Sequence, residues 1–192
     1  MPRLVLASTS PYRADLLARL GTPFLAVAPG VDEAAVKARG GAAQEIVEQL
    51  ARQKAEAVHP AYSEDVVVGS DQACVLEGCV LDKPGTATNA EAQLRALRGR
   101  EHQLVTAVAI AHPGGLRQFT DVTRLTMRPL RDDEIARYVA AEQPFDCAGS
   151  YKIERLGVAL FDRIESEDHT AIVGLPMLRL CRELRDLGFF VP

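Results

Sequence analysis

The chain has 192 residues, of which 47% are hydrophobic and 25% are charged, and its formal net charge is −4. This length allows one good hydrophobic core or two small lobes. The chain has no run of about 18 apolar residues that would cross a membrane, and its first residues lack the long apolar segment of a signal peptide. No long basic run favours a nucleic-acid partner. We therefore expect a cytoplasmic protein that binds neither membranes nor nucleic acids.

The N-terminal segment has the pattern of a strand, a hydroxyl-rich turn and a helix. Residues 3–7 predict a buried strand. Ser10 is suited to be a helix N-cap, Pro11 suits the first helical position, and Gly21 predicts the end of the helix. A second short strand is expected over residues 24–28.

The segment 66–84, VVVGSDQACVLEGCVLDKP, predicts two strands that carry an acid and a lysine. The first strand is apolar and is expected to stop at the carboxylate of Asp71. The chain then turns at Glu77-Gly78, and a second strand leads to Lys83 beside a proline. An acid at the end of a buried strand is poorly solvated unless something binds it. The pattern therefore favours a metal and phosphate site.

The cysteines give no metal-binding pattern. Cys74, Cys79, Cys147 and Cys181 do not have the spacing of a zinc site. Cys74 and Cys79 are candidates to face each other across the turn, but reduced thiols are the expectation in a cytoplasmic protein.

The remaining pattern alternates helices with strands. Helices are expected over residues 43–58, 89–98, 132–141 and 176–187. Thr88 or Asn89 is expected to cap the second of these helices. Strands are expected over residues 102–111, 116–127 and 158–161, with a hairpin turn at 112–115. Hairpins among alternating helices and strands predict an α/β fold with a mixed central sheet flanked by helices.

The turn after the first strand carries side chains that suit phosphate binding. The N–H groups at a helix N-terminus favour anions. Ser8, Thr9 and Ser10 add hydroxyl groups, and Arg13 adds a guanidinium one turn into the helix. The alternative is an ordinary capped helix with a solvated arginine. The glycine-lysine pattern of a P-loop is absent.

Two other polar segments each allow two interpretations. Asp32-Glu33 either ligates a divalent cation through carboxylate oxygens or forms the acidic start of a helix before Ala34. Lys54 lies at the edge of an apolar helical stripe. It either extends along the core to solvent or directs its ammonium group into a cleft.

In chain order, these segments resemble the motifs of a known family. The Maf nucleotide pyrophosphatases have similar motifs, in the same order, to LASTSPYRADLLARLG, VDE, ARQKAEAV, VVVGSDQ, LDKP and CAGSYKIERLG. The resemblance extends from about residue 3 to residue 188. It implies that residues 1–192 form a single domain of two lobes with a nucleotide cleft, in a fold related to the inosine triphosphate pyrophosphatases.

The same resemblance implies an enzymatic activity. Members of the family hydrolyse a nucleoside triphosphate to the monophosphate and pyrophosphate with a divalent cation, expected here to be Mg²⁺ or Mn²⁺. By resemblance, Asp71 is the proton acceptor and, with Glu33, a ligand of the metal. Four more residues match polar positions of the phosphate site: Ser8, Arg13, Lys54 and Lys83.

Three further positions resemble the family's specificity sites: Tyr12, Gln72 and Glu154. An aromatic residue, a glutamine and a glutamate are similar to the branch that acts on 7-methyl-GTP. The branch that acts on dTTP and UTP usually has arginine, threonine and glutamine there. The chemistry agrees, because a cationic methylated guanine can stack on an aromatic ring and donate hydrogen bonds to a carboxylate. Asp82 departs from the pattern, since glycine is usual before the Lys-Pro pair.

Other interpretations stay open at this point. Tyr12 can simply pack on the first helix, and Glu154 can be a solvated charge beside Lys152 and Arg155. Within the family, the alternatives are a dTTP or UTP pyrophosphatase and a nucleotide-binding regulator of cell division with little turnover. A small nucleotide is the expected partner in each of these interpretations. The sequence leaves open whether the protein forms a homodimer.

Overall fold

The computed structural model describes residues 2–191. Within this range the strands are β1 (Leu4–Ala7), β2 (Phe24–Ala26), β3 (Val66–Leu76), β4 (Cys79–Leu81), β5 (Glu101–His112), β6 (Gly115–Met127) and β7 (Phe161–Glu165). The α-helices are α1 (Pro11–Ala18), α2 (Glu33–Ala38), α3 (Ala43–Val58), α4 (Ala87–Leu97), α5 (Asp132–Glu142) and α6 (Met177–Asp186). Short 3₁₀ helices lie at His59–Tyr62, Ala148–Ser150, Leu156–Leu160 and His169–Val173. In the described part of the chain, no helix is long and apolar enough to cross a membrane.

The strands form one mixed sheet in the order β2-β1-β3-β5-β6-β7, and β4 pairs with β3. β1 runs parallel to both β2 and β3, with Leu4 opposite Phe24 and Val66. β4 is antiparallel to β3, and β7 is antiparallel to β6. The prediction of an α/β fold with a mixed central sheet flanked by helices is therefore confirmed.

The chain divides into two compact units, and the boundary falls within β3, β5 and β6. The first unit contains the segment up to Asp71, the segment Thr106–Asp121 and the segment from Asp168 onward. The second unit contains Gln72–Val105 and Val122–Glu167. Each unit has buried apolar side chains of its own.

The core of the first unit is built from four strands together with α1 and α6. Its buried members include Leu6, Leu16, Val68, Ile110 and Leu180. α1 begins as the sequence predicts, with Pro11 at its first position and the Ser10 hydroxyl accepting from the Arg13 N–H. Because full burial of a leucine-sized side chain contributes roughly 1.5–3 kcal/mol, this packing holds the turn between β1 and α1 in place.

Gly69 allows α3 to lie very close to β3. A Cβ at this position would be 2.6 Å from the Ala55 nitrogen and 3.1 Å from the Ala55 Cβ. Since the first distance is too short for any side chain, only glycine fits without moving the helix. Lys54 is the residue before Ala55, and Asp71 is two residues after Gly69, so this contact sets the distance between them.

The second unit packs α4 against α5 and contains a buried aromatic group. Leu94 and Ile135 are fully buried. The rings of Tyr151 and Phe161 meet edge to face with centroids 4.9 Å apart, and the Tyr151 hydroxyl is 3.0 Å from His102 Nε2. Burial lowers the pKa of His102 to about 4, so the imidazole is neutral at physiological pH.

β3 extends beyond its predicted end. It does not stop at Asp71 but continues to Leu76, because its second half pairs with β4. The sequence offered Cys74 and Cys79 as residues that face each other across the turn. The structure shows otherwise, since Cys74 lies opposite Leu81 and Cys79 lies opposite Leu76. None of the four cysteines, all of which lie in the described part of the chain, forms a disulfide, and burial raises the pKa of Cys74 to about 12. The expectation of reduced thiols therefore agrees with the structure.

The start of α4 also differs from the prediction. The helix begins at Ala87, and its N-cap is Thr86 rather than Thr88 or Asn89. The Thr86 hydroxyl accepts the Asn89 N–H at 3.2 Å. Thr86 and Thr88 offer the same capping side chain, and the local pattern did not separate them.

Residues 158–161 do not form the predicted strand. They lie in the 3₁₀ helix Leu156–Leu160 and at the first residue of β7. The Gly157 N–H donates to the Lys152 carbonyl at 3.0 Å. This hydrogen bond closes a turn, which prevents the apolar residues that follow from starting an extended strand.

Candidate active site

Three charged side chains of the first unit form an ionic cluster, in which Lys54 and Asp71 are buried and the Glu33 side chain is 44% exposed. Lys54 Nζ is 2.7 Å from Asp71 Oδ1 and 2.7 Å from Glu33 Oε1. Lys54 and Asp71 are 5% and 7% exposed. These residues come from α3, β3 and the first turn of α2, and the cluster joins three of the predicted site residues.

The burial of Lys54 decides between its two interpretations. An extension to solvent is wrong, because the side chain is only 6% exposed and its ammonium group contacts two carboxylates. The close approach of α3 to β3 at Gly69 places Lys54 beside Asp71. A buried charge needs such partners, because removing it from water costs several kcal/mol.

Asp32 and Glu33 both lie at the start of α2, so their interpretation as the acidic start of a helix is correct. Asp32 is the N-cap of α2, and its Oδ1 accepts the Ala35 N–H at 3.1 Å. Glu33 is the first residue of the same short helix and reaches Lys54. Glu33 therefore belongs to both the helix start and the ionic cluster, and cation ligation by these residues stays a prediction.

The turn after β1 contributes hydroxyl groups and a guanidinium. Ser8 is buried at the carboxyl end of β1, and its Oγ accepts the Ser10 N–H at 3.1 Å. Arg13 Nε donates to the Gly174 carbonyl at 3.1 Å. The Ser70 hydroxyl donates to that same carbonyl at 2.9 Å. One backbone oxygen therefore fixes both Arg13 and the residue before Asp71.

Arg13 is electrostatically part of the ionic cluster. Burial lowers the pKa of Arg13, and the carboxylates of Asp71 and Glu33 act in the opposite direction. Arg13 is half-buried and donates to the Gly174 carbonyl, so it is not the freely solvated arginine of the alternative interpretation, although the helix cap that it assumed is present. The first unit brings two cations and two carboxylates together.

The donor chemistry of this cluster suits a divalent cation. Asp71 and Glu33 each direct a carboxylate oxygen at one cation, the Lys54 ammonium. Mg²⁺ is commonly held by one or two carboxylates, with phosphate oxygens and water completing the shell. Among the described residues, no group of three or more histidine, cysteine or acidic side chains is suited to hold a metal alone. A metal here would thus take further ligands from substrate or water.

The other predicted site residues lie on separate elements. Tyr12 is half-buried on α1, next to Arg13 in the first unit. In the second unit, Gln72 is half-buried on β3, and Lys83 and Glu154 are exposed in loops. The structure assigns no role to these four residues, so their predicted roles stay predictions.

Three residues that shape this cluster were not among the predicted site residues. Gly69 admits α3, and Ser70 and the carbonyl of Gly174 hold β3 and Arg13. A glycine directly after three valines is the one local signal for Gly69. Gly174 has φ 124°, but its hydrogen bonds join positions more than a hundred residues apart, which no local pattern reveals.

The fold and the cluster define a class of protein. The parallel pairing of β1 with β3 ends at Ala7 and Gly69, and the buried Ser8 and Asp71 lie just beyond it. Ligands of α/β proteins commonly bind beyond the carboxyl ends of parallel strands. Cationic and carboxylate groups at that end are typical of proteins that process phosphorylated small molecules. The Maf-like protein family matches residues 3–187, and the chain belongs to that family.

Relatives of similar length support this assignment. The chain is 48% identical over 193 residues to a protein of Xanthomonas campestris pv. campestris named 7-methyl-GTP pyrophosphatase, covering 100% of both. It is 43% identical over 194 residues to a protein of the same name from Pseudomonas aeruginosa, again covering 100% of both. A solved HAM1 protein from Coxiella burnetii is similar in fold, with a TM-score of 0.51 at 14% identity. That similarity covers 97% of this chain and 100% of the other.

Proposed function

We propose that the protein is a nucleoside triphosphate pyrophosphatase that prefers 7-methyl-GTP and requires a divalent cation. The observation that carries the proposal is the ionic cluster in which the buried Lys54 contacts the buried Asp71 and the half-exposed Glu33 beside Arg13. Relatives that match along their whole length and are named 7-methyl-GTP pyrophosphatase support the choice of substrate.

In the proposed reaction, water cleaves the anhydride bond between the α- and β-phosphates. Asp71 accepts a proton from the attacking water, and pyrophosphate leaves the nucleoside monophosphate. Arg13 and Lys54 offset the negative charge of the phosphates, and Ser8 and Lys83 add phosphate contacts. Arg13 can hold this position because its Nε is fixed on Gly174, which leaves the two terminal nitrogens of the guanidinium to donate elsewhere.

Glu33 and Asp71 would hold the divalent cation, Mg²⁺ or Mn²⁺. The ion supplies charge neutralisation at the phosphate oxygens and polarises water when it is bound. Asp71 then combines two roles, metal ligand and proton acceptor. Lys54 directs both carboxylates at one point, because its ammonium group contacts an oxygen of each.

Recognition of the base is assigned to Tyr12, Gln72 and Glu154. The methylated guanine is cationic, so the face of Tyr12 attracts it by roughly 0.5–2 kcal/mol. The carboxylate of Glu154 accepts hydrogen bonds from the N1–H and N2 amino edge of the base. Uracil and thymine lack this edge, which gives Glu154 a way to reject them.

Release of pyrophosphate tests this proposal directly. We expect the purified protein with Mg²⁺ or Mn²⁺ to have a higher kcat/KM for 7-methyl-GTP than for GTP, dTTP or UTP. A preference for dTTP or UTP would overturn the assignment of 7-methyl-GTP as substrate. The proposed pyrophosphatase reaction would still stand. Nucleotide binding with no pyrophosphate release would overturn the enzymatic proposal in favour of a regulator.

Cytoplasmic location and a homodimeric state stay predictions of this proposal. Fractionation of the source cells tests the first. Light scattering over a range of protein concentrations tests the second.

A further inference from the structure

In the second unit, Glu154 lies at the centre of a loop that is fixed on both sides. The loop, taken here as residues 149–157, includes the end of the 3₁₀ helix Ala148–Ser150 and the start of the 3₁₀ helix Leu156–Leu160, and Glu154 is exposed within it. Gly149 and Ser150 have φ values of 76° and 63°. Serine rarely adopts such a conformation, so surrounding contacts must hold the start of this loop in shape.

Two side chains of α5 accept hydrogen bonds from the loop backbone, one two residues before Glu154 and the other two residues after it. The Tyr138 hydroxyl accepts the N–H of Lys152, two residues before Glu154, at 3.0 Å. Glu142 Oε2 accepts the N–H of Leu156, two residues after Glu154, at 3.1 Å. Tyr138 and Glu142 are one helical turn apart, so the same face of α5 holds both arms of the loop.

Both of these acceptors are buried. Tyr138 is 6% exposed and Glu142 is 7% exposed. Burial raises the pKa of Tyr138, which keeps its hydroxyl protonated and neutral. A buried carboxylate that accepts a backbone N–H from an exposed loop is a costly arrangement, and Arg155 Nη1, 3.6 Å from Glu142 Oε1, offsets part of its charge.

Further contacts secure the start of the loop. The Ser150 hydroxyl donates to Gln93 Oε1 at 2.5 Å. A Cβ on Gly149 would lie 2.8 Å from Cys74 Sγ, so the backbone packs directly on β3. Tyr151 is buried against His102. The loop is thus anchored from within the second unit, and Glu154 projects from a fixed backbone.

We propose that Tyr138 and Glu142 are positioning residues that set the selectivity for the base by fixing the backbone on both sides of Glu154. The inference rests on the proposed function, in which Glu154 accepts hydrogen bonds from the guanine edge. A long, exposed carboxylate loses affinity when its backbone moves, because ordering it then costs more conformational entropy on binding.

Removal of the Tyr138 hydroxyl is the sharpest test, because Tyr138→Phe deletes one atom of a buried side chain, the atom that accepts the Lys152 N–H. We expect the ratio of kcat/KM for 7-methyl-GTP to that for UTP to fall roughly three- to tenfold, the effect of one lost hydrogen bond. The fall should lie in KM for 7-methyl-GTP, with kcat for UTP unchanged. Tyr62→Phe, the same chemical change in the first unit, is the matched control and should leave the ratio as it is.

Dependence on Glu154 separates positioning from general stability. In a Glu154→Ala background, Tyr138→Phe should cause no further fall in the ratio, because the group that it positions is gone. Equal losses for both substrates in Tyr138→Phe would overturn the inference. If Tyr138→Phe does not fold, Glu142→Gln takes its place with the same expected fall, because a neutral amide oxygen accepts from Leu156 more weakly.

The outcomes also distinguish this inference from the proposed function. A ratio that changes in Glu154→Ala but not in folded Tyr138→Phe or Glu142→Gln overturns the inference alone. If Glu154→Ala leaves the ratio of kcat/KM values unchanged, Glu154 does not recognise the base. That result overturns both the proposed role of Glu154 and the inference that Tyr138 and Glu142 position it.

Discussion

The two units hold their candidate residues in opposite ways. In the first unit, Lys54 and Asp71 are buried and are fixed by ion pairs, since Lys54 contacts both Asp71 and the half-exposed Glu33. In the second unit, Glu154 is exposed, and its backbone is fixed by neighbouring side chains such as Tyr138. Groups that handle charge on phosphates benefit from a low dielectric, whereas a group that reads a base needs only a defined position.

Removal of the divalent cation should have the largest effect, because it acts on the whole ionic cluster. We expect excess EDTA to reduce pyrophosphate release to background for every triphosphate, and added Mg²⁺ or Mn²⁺ to restore it. The melting temperature of the protein with EDTA serves as the control for unfolding. Full activity in EDTA would remove the metal from the proposed mechanism.

Asp71→Asn should come next, with a loss of about 10²- to 10⁴-fold in kcat. The amide has the same shape but neither accepts a proton nor binds a metal well. Steady-state kinetics with 7-methyl-GTP and UTP should give the same factor, since the loss does not involve the base. If the folded variant turns over at the normal rate, Asp71 is not the proton acceptor.

Lys54→Met and Lys83→Met remove a buried and an exposed lysine, respectively, so their effects on activity and stability can be compared directly. Both should lower kcat/KM for all triphosphates by similar factors, because phosphates are common to them. Only Lys54→Met should also lower stability, by about 3 kcal/mol, since it leaves the Asp71 carboxylate buried without its cation. Lys83→Met should change stability by less than about 0.5 kcal/mol.

Urea denaturation of the two lysine variants measures this difference. An equal loss of stability in both would mean that the Lys54 ion pairs contribute nothing beyond an exposed charge. An effect on only one triphosphate would mean that the lysine in question contacts the base.

Glu154→Gln should have the smallest effect of the four, and it should be confined to selectivity. Loss of the charge weakens the hydrogen bonds to the guanine edge, so kcat/KM for 7-methyl-GTP should fall about tenfold. The value for UTP should stay the same or rise. Tyr12→Arg should act in the same direction, because a guanidinium repels the cationic base.

Competition between 7-methyl-GTP and UTP in one reaction gives this selectivity from a single measurement. A product ratio that neither variant changes would contradict the role of the exposed loop. The proposed hydrolysis by the ionic cluster would stand unaffected.

The sequence by itself determined the features that depend on neighbouring residues. The start of α1 at Pro11, the bounds of α3 and the turn at Glu77-Gly78 follow from caps, apolar periodicity and turn chemistry. Similarity to a known family also pointed to Asp71, Lys54 and the other candidate residues. The order of the motifs along the chain can be recognised without knowing which residues are in contact. These signals are local or linear, which is why sequence analysis finds them.

Only the tertiary structure decided which polar groups are buried together. The pattern around Lys54 allowed solvent exposure, and its burial became evident from the packing of α3 on Gly69. The same holds for Gly174, whose carbonyl receives Arg13 and Ser70 across long stretches of chain. Burial and pairing depend on the whole arrangement of elements, because the free energy of a charged group is set by every neighbour that replaces its water.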